Sequence, residues 1–192
     1  MLEDIDTRLA GRLLEARQAC GLTLDQLATL SGVSRAMISR IERGDSSPTA
    51  ALLGKLCGGL GITMSSLFAQ LEGEPSPLIR RADQPVWRDP ETGYVRRNVA
   101  PPGTGTTQEI VHVRLPVAAK VAYPGSSYVA VEQHILLLGG TLEFGNGDQV
   151  FRLEEGDCLR VPKPADSWYR NPGRRVAEYL VLLIRQGEPR GR

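Results

Sequence analysis

The spacing of apolar residues changes near residue 72, and no other feature of the 192-residue chain constrains its fold as much. Before that point the spacing is helical. Leu9, Leu13, Ala16 and Cys20 fall at i, i+4, i+7 and i+11, one stripe of an amphipathic helix that Gly21 stops. Thr23 with Gln26 reads as a capping box opening a second helix, with Leu27 and Ala28 inward. Ser34 caps a third, with Ile38 and Ile41 inward and Gly44 beyond its end. Residues 49–60 predict a fourth helix and 63–68 a short fifth. Helices of two to four turns do not stand alone in water, so all five are expected to share one core.

After the Pro-punctuated stretch E-G-E-P-S-P (72–77), which holds 2 of the 13 prolines and precedes 10 more, the runs alternate. Residues 109–115, 129–138 and 160–161 read as short strands separated by P-G, N-G-D and N-P-G turns. Strands with no helical pattern between them predict an antiparallel sandwich or barrel. The run 176–184 is apolar on both faces save for Glu178 and Tyr179, as in a strand covered on both sides, with a dimer interface as one possible cover. Two domains are expected, 1–72 all-α and 78–188 all-β, joined by a linker at 73–77.

Charge and cysteine usage narrow the function classes. The 23 basic and 22 acidic side chains leave +1, and residues 1–72 carry seven Lys/Arg against eight Asp/Glu. Any contact with nucleic acid must therefore come from locally placed charges. The longest apolar stretch, 179–184, is far short of the ~20 residues of a membrane span. The opening M-L-E-D-I-D is acidic where a secretory signal is basic and then apolar. Three scattered cysteines without C-x-x-C argue against a zinc knuckle or a disulfide framework. A cytoplasmic protein with no membrane partner is expected, and Cys158 is read as a buried, inert thiol.

From Leu24, the segment L-D-Q-L-A-T-L-S-G-V-S-R-A-M-I-S-R-I resembles the helix-turn-helix of Xre-family, lambda-repressor-like regulators. Ala28 is small where two helices cross, Gly32 sits in a turn costly for residues with a Cβ, and Val33, Ile38 and Ile41 pin the second helix. The resemblance implies a five-helix DNA-binding domain whose helix after Ser34 enters the major groove. Ser34, Arg35, Ala36, Ser39 and Arg40 would then meet DNA, arginine pairing bidentately with guanine and Ala36 touching a thymine methyl. Arg43, Ser46, Ser47, the start of the helix after Thr49, and Thr23 would hold phosphates. Arg17 and Glu42 match positions that ion-pair behind the DNA face. Leu24 departs from the pattern, since many such regulators carry a phosphate-contacting Gln there.

Glu155-Gly156-Asp157, Pro162 and Asn171-Pro172-Gly173 resemble the second cupin motif, and Gly140 after an apolar strand matches the end of the first. Residues 85–97 resemble the lead-in strands of cupins attached to Xre domains. The resemblance implies an all-β cupin, a double-stranded β-helix or jelly-roll barrel. Its metal-ligand positions fall on Ser127, Val129, Gln133 and Ser167, none a strong ligand, and Pro164 replaces an inner Gly. His112 and His134 lie on separate strands, and an inward Gln133 turns His134 outward. No metal site and no cofactor are expected. Gln133 and Ser167 offer hydrogen bonds, and Tyr128 and Tyr169 offer aromatic walls, for a small-molecule effector. The alternative is that these groups satisfy one another inside a packed barrel.

The expected function is a sequence-specific transcription regulator, not an enzyme, whose barrel senses a small molecule, dimerises, or both. One small head buries only ~600–1,000 Å² on DNA, so a homodimer on a near-palindromic double-stranded operator is expected. The alternative, a metal-dependent cupin enzyme of the epoxidase or dioxygenase kind with a helical N-terminal domain, is disfavoured by the missing ligands.

Overall fold

The computed structural model describes residues 5–69, 77–101, 108–125, 131–163 and 165–185. Five helices come first: α1 (Ile5–Ala19), α2 (Leu24–Ser31), α3 (Arg35–Glu42), α4 (Ala50–Leu60) and α5 (Met64–Ala69). Their starts follow the cap residues. Gln26 Oε1 accepts from the Thr23 N–H at 2.8 Å while Thr23 Oγ1 accepts from the Gln26 N–H at 3.2 Å. The Ser34 and Thr49 hydroxyls accept from Met37 and Leu52 N–H groups that a helix N-terminus otherwise leaves open. Gly32 closes α2 at φ 66, a left-handed conformation that strains residues with a Cβ.

The strands are β1 (Val86–Arg88), β2 (Val95–Asn98), β3 (Gln108–Leu115), β4 (Lys120–Tyr123), β5 (Val131–Gly139), β6 (Leu142–Asn146), β7 (Gln149–Leu153), β8 (Cys158–Arg160), β9 (Ser167–Arg170) and β10 (Ala177–Arg185). They pair antiparallel in two sheets, ordered β1-β2-β3-β10-β5-β8 and β4-β9-β6-β7. Strands distant in sequence thus become neighbours, as in a jelly roll. Alternation sends Val111, Val113, Ile135, Leu137, Tyr179 and Val181 inward, into one core with Val121, Tyr123, Leu142, Phe144 and Tyr169 of the other sheet. The cupin-motif residues serve closure. Asn171 is fully buried and donates to the carbonyls of Leu115 and Arg175 at 3.0 and 2.9 Å. A Cβ at Gly140 would lie 2.7 Å from the Val176 carbonyl oxygen.

The five helices do not share one core, which corrects the expectation from the sequence. Leu13, Leu27, Val33, Ile38, Ile41, Leu56 and Leu60 form a cluster of their own. Leu9, Ala50, Leu53, Cys57, Met64, Leu67 and Phe68 instead belong to the barrel's core, with Trp87, Tyr94, Val121 and Tyr123. The reason is α4, whose buried residues form one wide face, Leu56 and Leu60 toward the helical cluster and Ala50, Leu53 and Cys57 toward the barrel, so that it serves both clusters. Gly54 lets β4 come close, since a Cβ there would lie 2.8 Å from Tyr123 Cδ1. Phe68 packs 5.7 Å from Trp87, with the Arg96 guanidinium 5.4 Å from the centre of its ring.

β10 lies between β3 and β5 in the middle of its sheet, but its outward residues Glu178, Leu180, Leu182 and Ile184 are only half-buried, so the single chain does not cover both faces. Cys158 is exposed, because β8 is an edge strand and Cys158 stands beside Leu136 on the outer face. Of the linker and domain limits, residues 73–76 and 186–188 lie outside the described residues. Among the described residues no helix is long and apolar enough to cross a membrane.

Candidate nucleic-acid interface and barrel cavity

α3 buries Ile38 and Ile41 against the helical cluster and turns its other face outward. Ser34, Arg35, Ala36 and Arg40 are exposed there, and Ser39 is half-buried. Behind this face Arg17 grips Glu42 with two hydrogen bonds of 2.7 and 2.8 Å, and its third nitrogen donates to the Leu22 carbonyl at 2.8 Å. The hydrogen bond to Glu42 outweighs burial and raises the Arg17 pKa. The pair ties α1 to the end of α3 and so sets the angle at which α3 stands out.

Carboxylates meet several of the predicted DNA contacts. Arg35 lies 3.5 Å from Asp25. Arg43, at the C-cap of α3, donates to Asp45 at 2.8 Å and to the Ser39 hydroxyl at 2.6 Å. The Ser47 hydroxyl donates to Asp6 at 2.5 Å, and Ser46 is half-buried. Arg40 enters no ion pair among the described residues. Thr23 is exposed, its hydroxyl oxygen engaged as the α2 cap. The start of α4, expected to hold a phosphate, is already filled. The buried Asp89, in the β1–β2 turn, accepts the Ala50 N–H at 3.2 Å along with the N–H groups of Glu91 and Thr92.

Inside the barrel, Val131, Gln133, Phe144, Asn146, Val161, Ala165 and Ser167 line a cavity of about 10 Å³, room for one water molecule. Gln133 is buried and donates its amide to the Tyr169 hydroxyl at 2.5 Å. Tyr169 stacks on Tyr179 at 5.6 Å and meets Tyr123 edge-on at 6.0 Å, so it stands behind Gln133 and does not wall the cavity. Tyr128, Ser127, Val129 and Pro164 lie outside the described residues. Asn146 is a lining residue that the motif comparison missed. Alternation along β6 was the available signal, since Asn146 follows inward Leu142 and Phe144 and pairs with Ser167. Gln133 and Ser167 are neutral and poor ligands for iron or manganese, so the residues at these positions do not fit a cupin metal. The two histidines are on the outer face, His112 at 2.7 Å from Glu178 and His134 at 3.8 Å from Glu132.

Residues 13–67 match the family described as Helix-turn-helix, HTH_3. The chain is 25% identical over 182 residues to the HTH-type transcriptional regulator SutR of Escherichia coli (strain K12), across 95% of this chain and 97% of that one. An uncharacterized HTH-type transcriptional regulator of Haemophilus influenzae is 46% identical over 57 residues, 30% of this chain and 58% of that one. The crystal structure of an HTH_3 family transcriptional regulator from Vibrio cholerae superimposes with a TM-score of 0.76 at 26% identity, across 95% of this chain and 97% of that one.

Proposed function

We propose, from the premise that the chain is a transcriptional regulator joining an Xre-type helix-turn-helix domain to a cupin-like barrel, that α3 enters the major groove of a near-palindromic operator bound by a homodimer. The observation that carries this reading is the two-sided character of α3: Ile38 and Ile41 buried, and Arg35, Ala36 and Arg40 presented together. In it, Arg35, Ala36, Ser39 and Arg40 meet base edges. Ser34, Arg43, Ser46, Ser47 and Thr23 meet the phosphate backbone. The duplex is reached in the cytoplasm.

The barrel serves two ends in this reading, and neither is catalytic. Its outer face joins two copies, and its cavity takes a small uncharged effector at Gln133 and Ser167 with Asn146. A cavity the size of one water must widen to admit such a molecule. Widening would separate Gln133 from Tyr169 and press on β9, β4 and then α4, which packs on Tyr123. The ligand can shift the poses of the two heads only as far as it prefers one pose.

Selection of bound sequences from random duplexes, followed by footprinting, tests the DNA reading. Arg40→Ala is expected to weaken operator binding by about 10- to 100-fold and to relax preference at one base pair. Unchanged affinity and preference would remove Arg40 from the interface.

A further inference from the structure

We propose that Asp25 sets the selectivity of the DNA face by opposing phosphate at Arg35, while Asp45 and Asp6 lower binding to every duplex alike. This rests on the reading of α3 as a groove-binding helix. The three carboxylates come from three elements: the first turn of α2, the loop after α3, and the first turn of α1. Each lies against a residue assigned to DNA, Asp25 on Arg35 at 3.5 Å, Asp45 on Arg43 at 2.8 Å and Asp6 on Ser47 at 2.5 Å. Neither arginine pair is a folding device. The Arg35 and Asp25 side chains are 66% and 77% exposed, and pairs this open add little to stability.

Their effect falls on what approaches. A duplex with no guanine in register at Arg35 leaves that guanidinium phosphates in place of a base edge. A phosphate arriving at Arg35 or Arg43 finds a carboxylate well inside the ~8 Å screening length, so one anion merely displaces another. Guanine in a cognate site offers its O6 and N7 acceptors without net charge, and a neighbouring carboxylate does not oppose that contact. Asp25 therefore subtracts more from indiscriminate binding than from operator binding, whereas Asp45 and Asp6, beside residues that meet phosphate on either duplex, subtract from both alike. The charge count agrees: with seven basic and eight acidic residues in the first 72, the head holds no surplus positive charge.

The test uses the full chain, an operator selected by the wild type from random duplexes, and a scrambled duplex of equal length. The variants are Asp25→Asn, Asp25→Ser, Asp45→Asn and, as a control for total charge, Asp148→Asn in the exposed β6–β7 turn. Asp25→Asn is expected to bind the scrambled duplex about fivefold more tightly and the operator less than about twofold more tightly, Asp45→Asn to tighten both by the same factor, and Asp148→Asn to move neither. Thermal melting checks folding, and Asp25→Ser carries the test if Asp25→Asn loosens α2. Unchanged scrambled binding by the Asp25 variants, or their equal tightening on both duplexes, would overturn the proposal. Weakened operator binding would overturn it too, by making the carboxylates base readers. A wild type that selects no sequence would instead take down the groove-binding reading beneath it.

Discussion

Cys57 lies on α4 where the helical cluster meets the barrel's core, wholly buried. Burial pushes its thiol from 9.0 up to about 12, against a smaller pull downward from Arg96. The folded chain thus holds this proton more tightly than the unfolded chain does. The resulting stability is complete below pH 9 and is lost as pH rises toward 12, at about 1.4 kcal/mol per pH unit. Urea unfolding of the wild type and Cys57→Ala from pH 7 to 11 is expected to give a steeper alkaline decline for the wild type; parallel curves would contradict this. In the folded chain a thiol reagent should find Cys20 and Cys158, which are exposed, and reach Cys57 only on unfolding. The Arg17–Glu42 pair behaves differently. Its raised arginine pKa keeps it charged across that range, so it adds nothing to the alkaline decline. Asp89 acts at the same scale, one barrel carboxylate deciding that the start of α4 faces protein and not phosphate.

Among the elements, β10 best accounts for why the chain would pair with a copy of itself. Leu180, Leu182 and Ile184 stand half-exposed on its outer side, with Ile110 of β3 beside Leu182 and Leu136 of β5 beside Leu180. The outer face of the other sheet is polar by contrast: Lys120 lies over Trp168, and Arg170 pairs with Glu143. The six strands, three to nine residues long and about 4.8 Å apart, offer roughly 600 Å², somewhat under one partner's share of about 800 Å² in a standard interface. The same face carries His112 at 2.7 Å from Glu178 and His134 at 3.8 Å from Glu132. Leu182→Asp is expected to leave the circular dichroism unchanged, to give a monomer in sedimentation, and to cost at least about tenfold in operator affinity. A dimer that persists at the same concentration would exclude this face.

At the scale of the whole molecule, Leu9, Leu53, Leu67 and Phe68 complete the barrel's own core, so head and barrel are expected to unfold together. Phe68→Ala should cost about 3–5 kcal/mol, and loss of helical circular dichroism should coincide with loss of the Trp87 fluorescence signal. Two separated transitions would show that the halves fold apart. The sequence by itself determined whatever depends on spacing along a few turns or a few alternations. That includes the two halves, the caps Thr23, Ser34 and Thr49, the outward residues of α3, the inward Gln133, and the turn residues Gly140, Gly156 and Asn171. Only the tertiary structure decided that α5 belongs to the barrel, that Asp89 fills the start of α4, that Tyr169 stands behind Gln133, and that Cys158 is exposed. Those outcomes depend on residues such as 50 and 89, or 133 and 169, meeting across the fold. Periodicity reports which side of an element is apolar, but not which of two cores that side will enter.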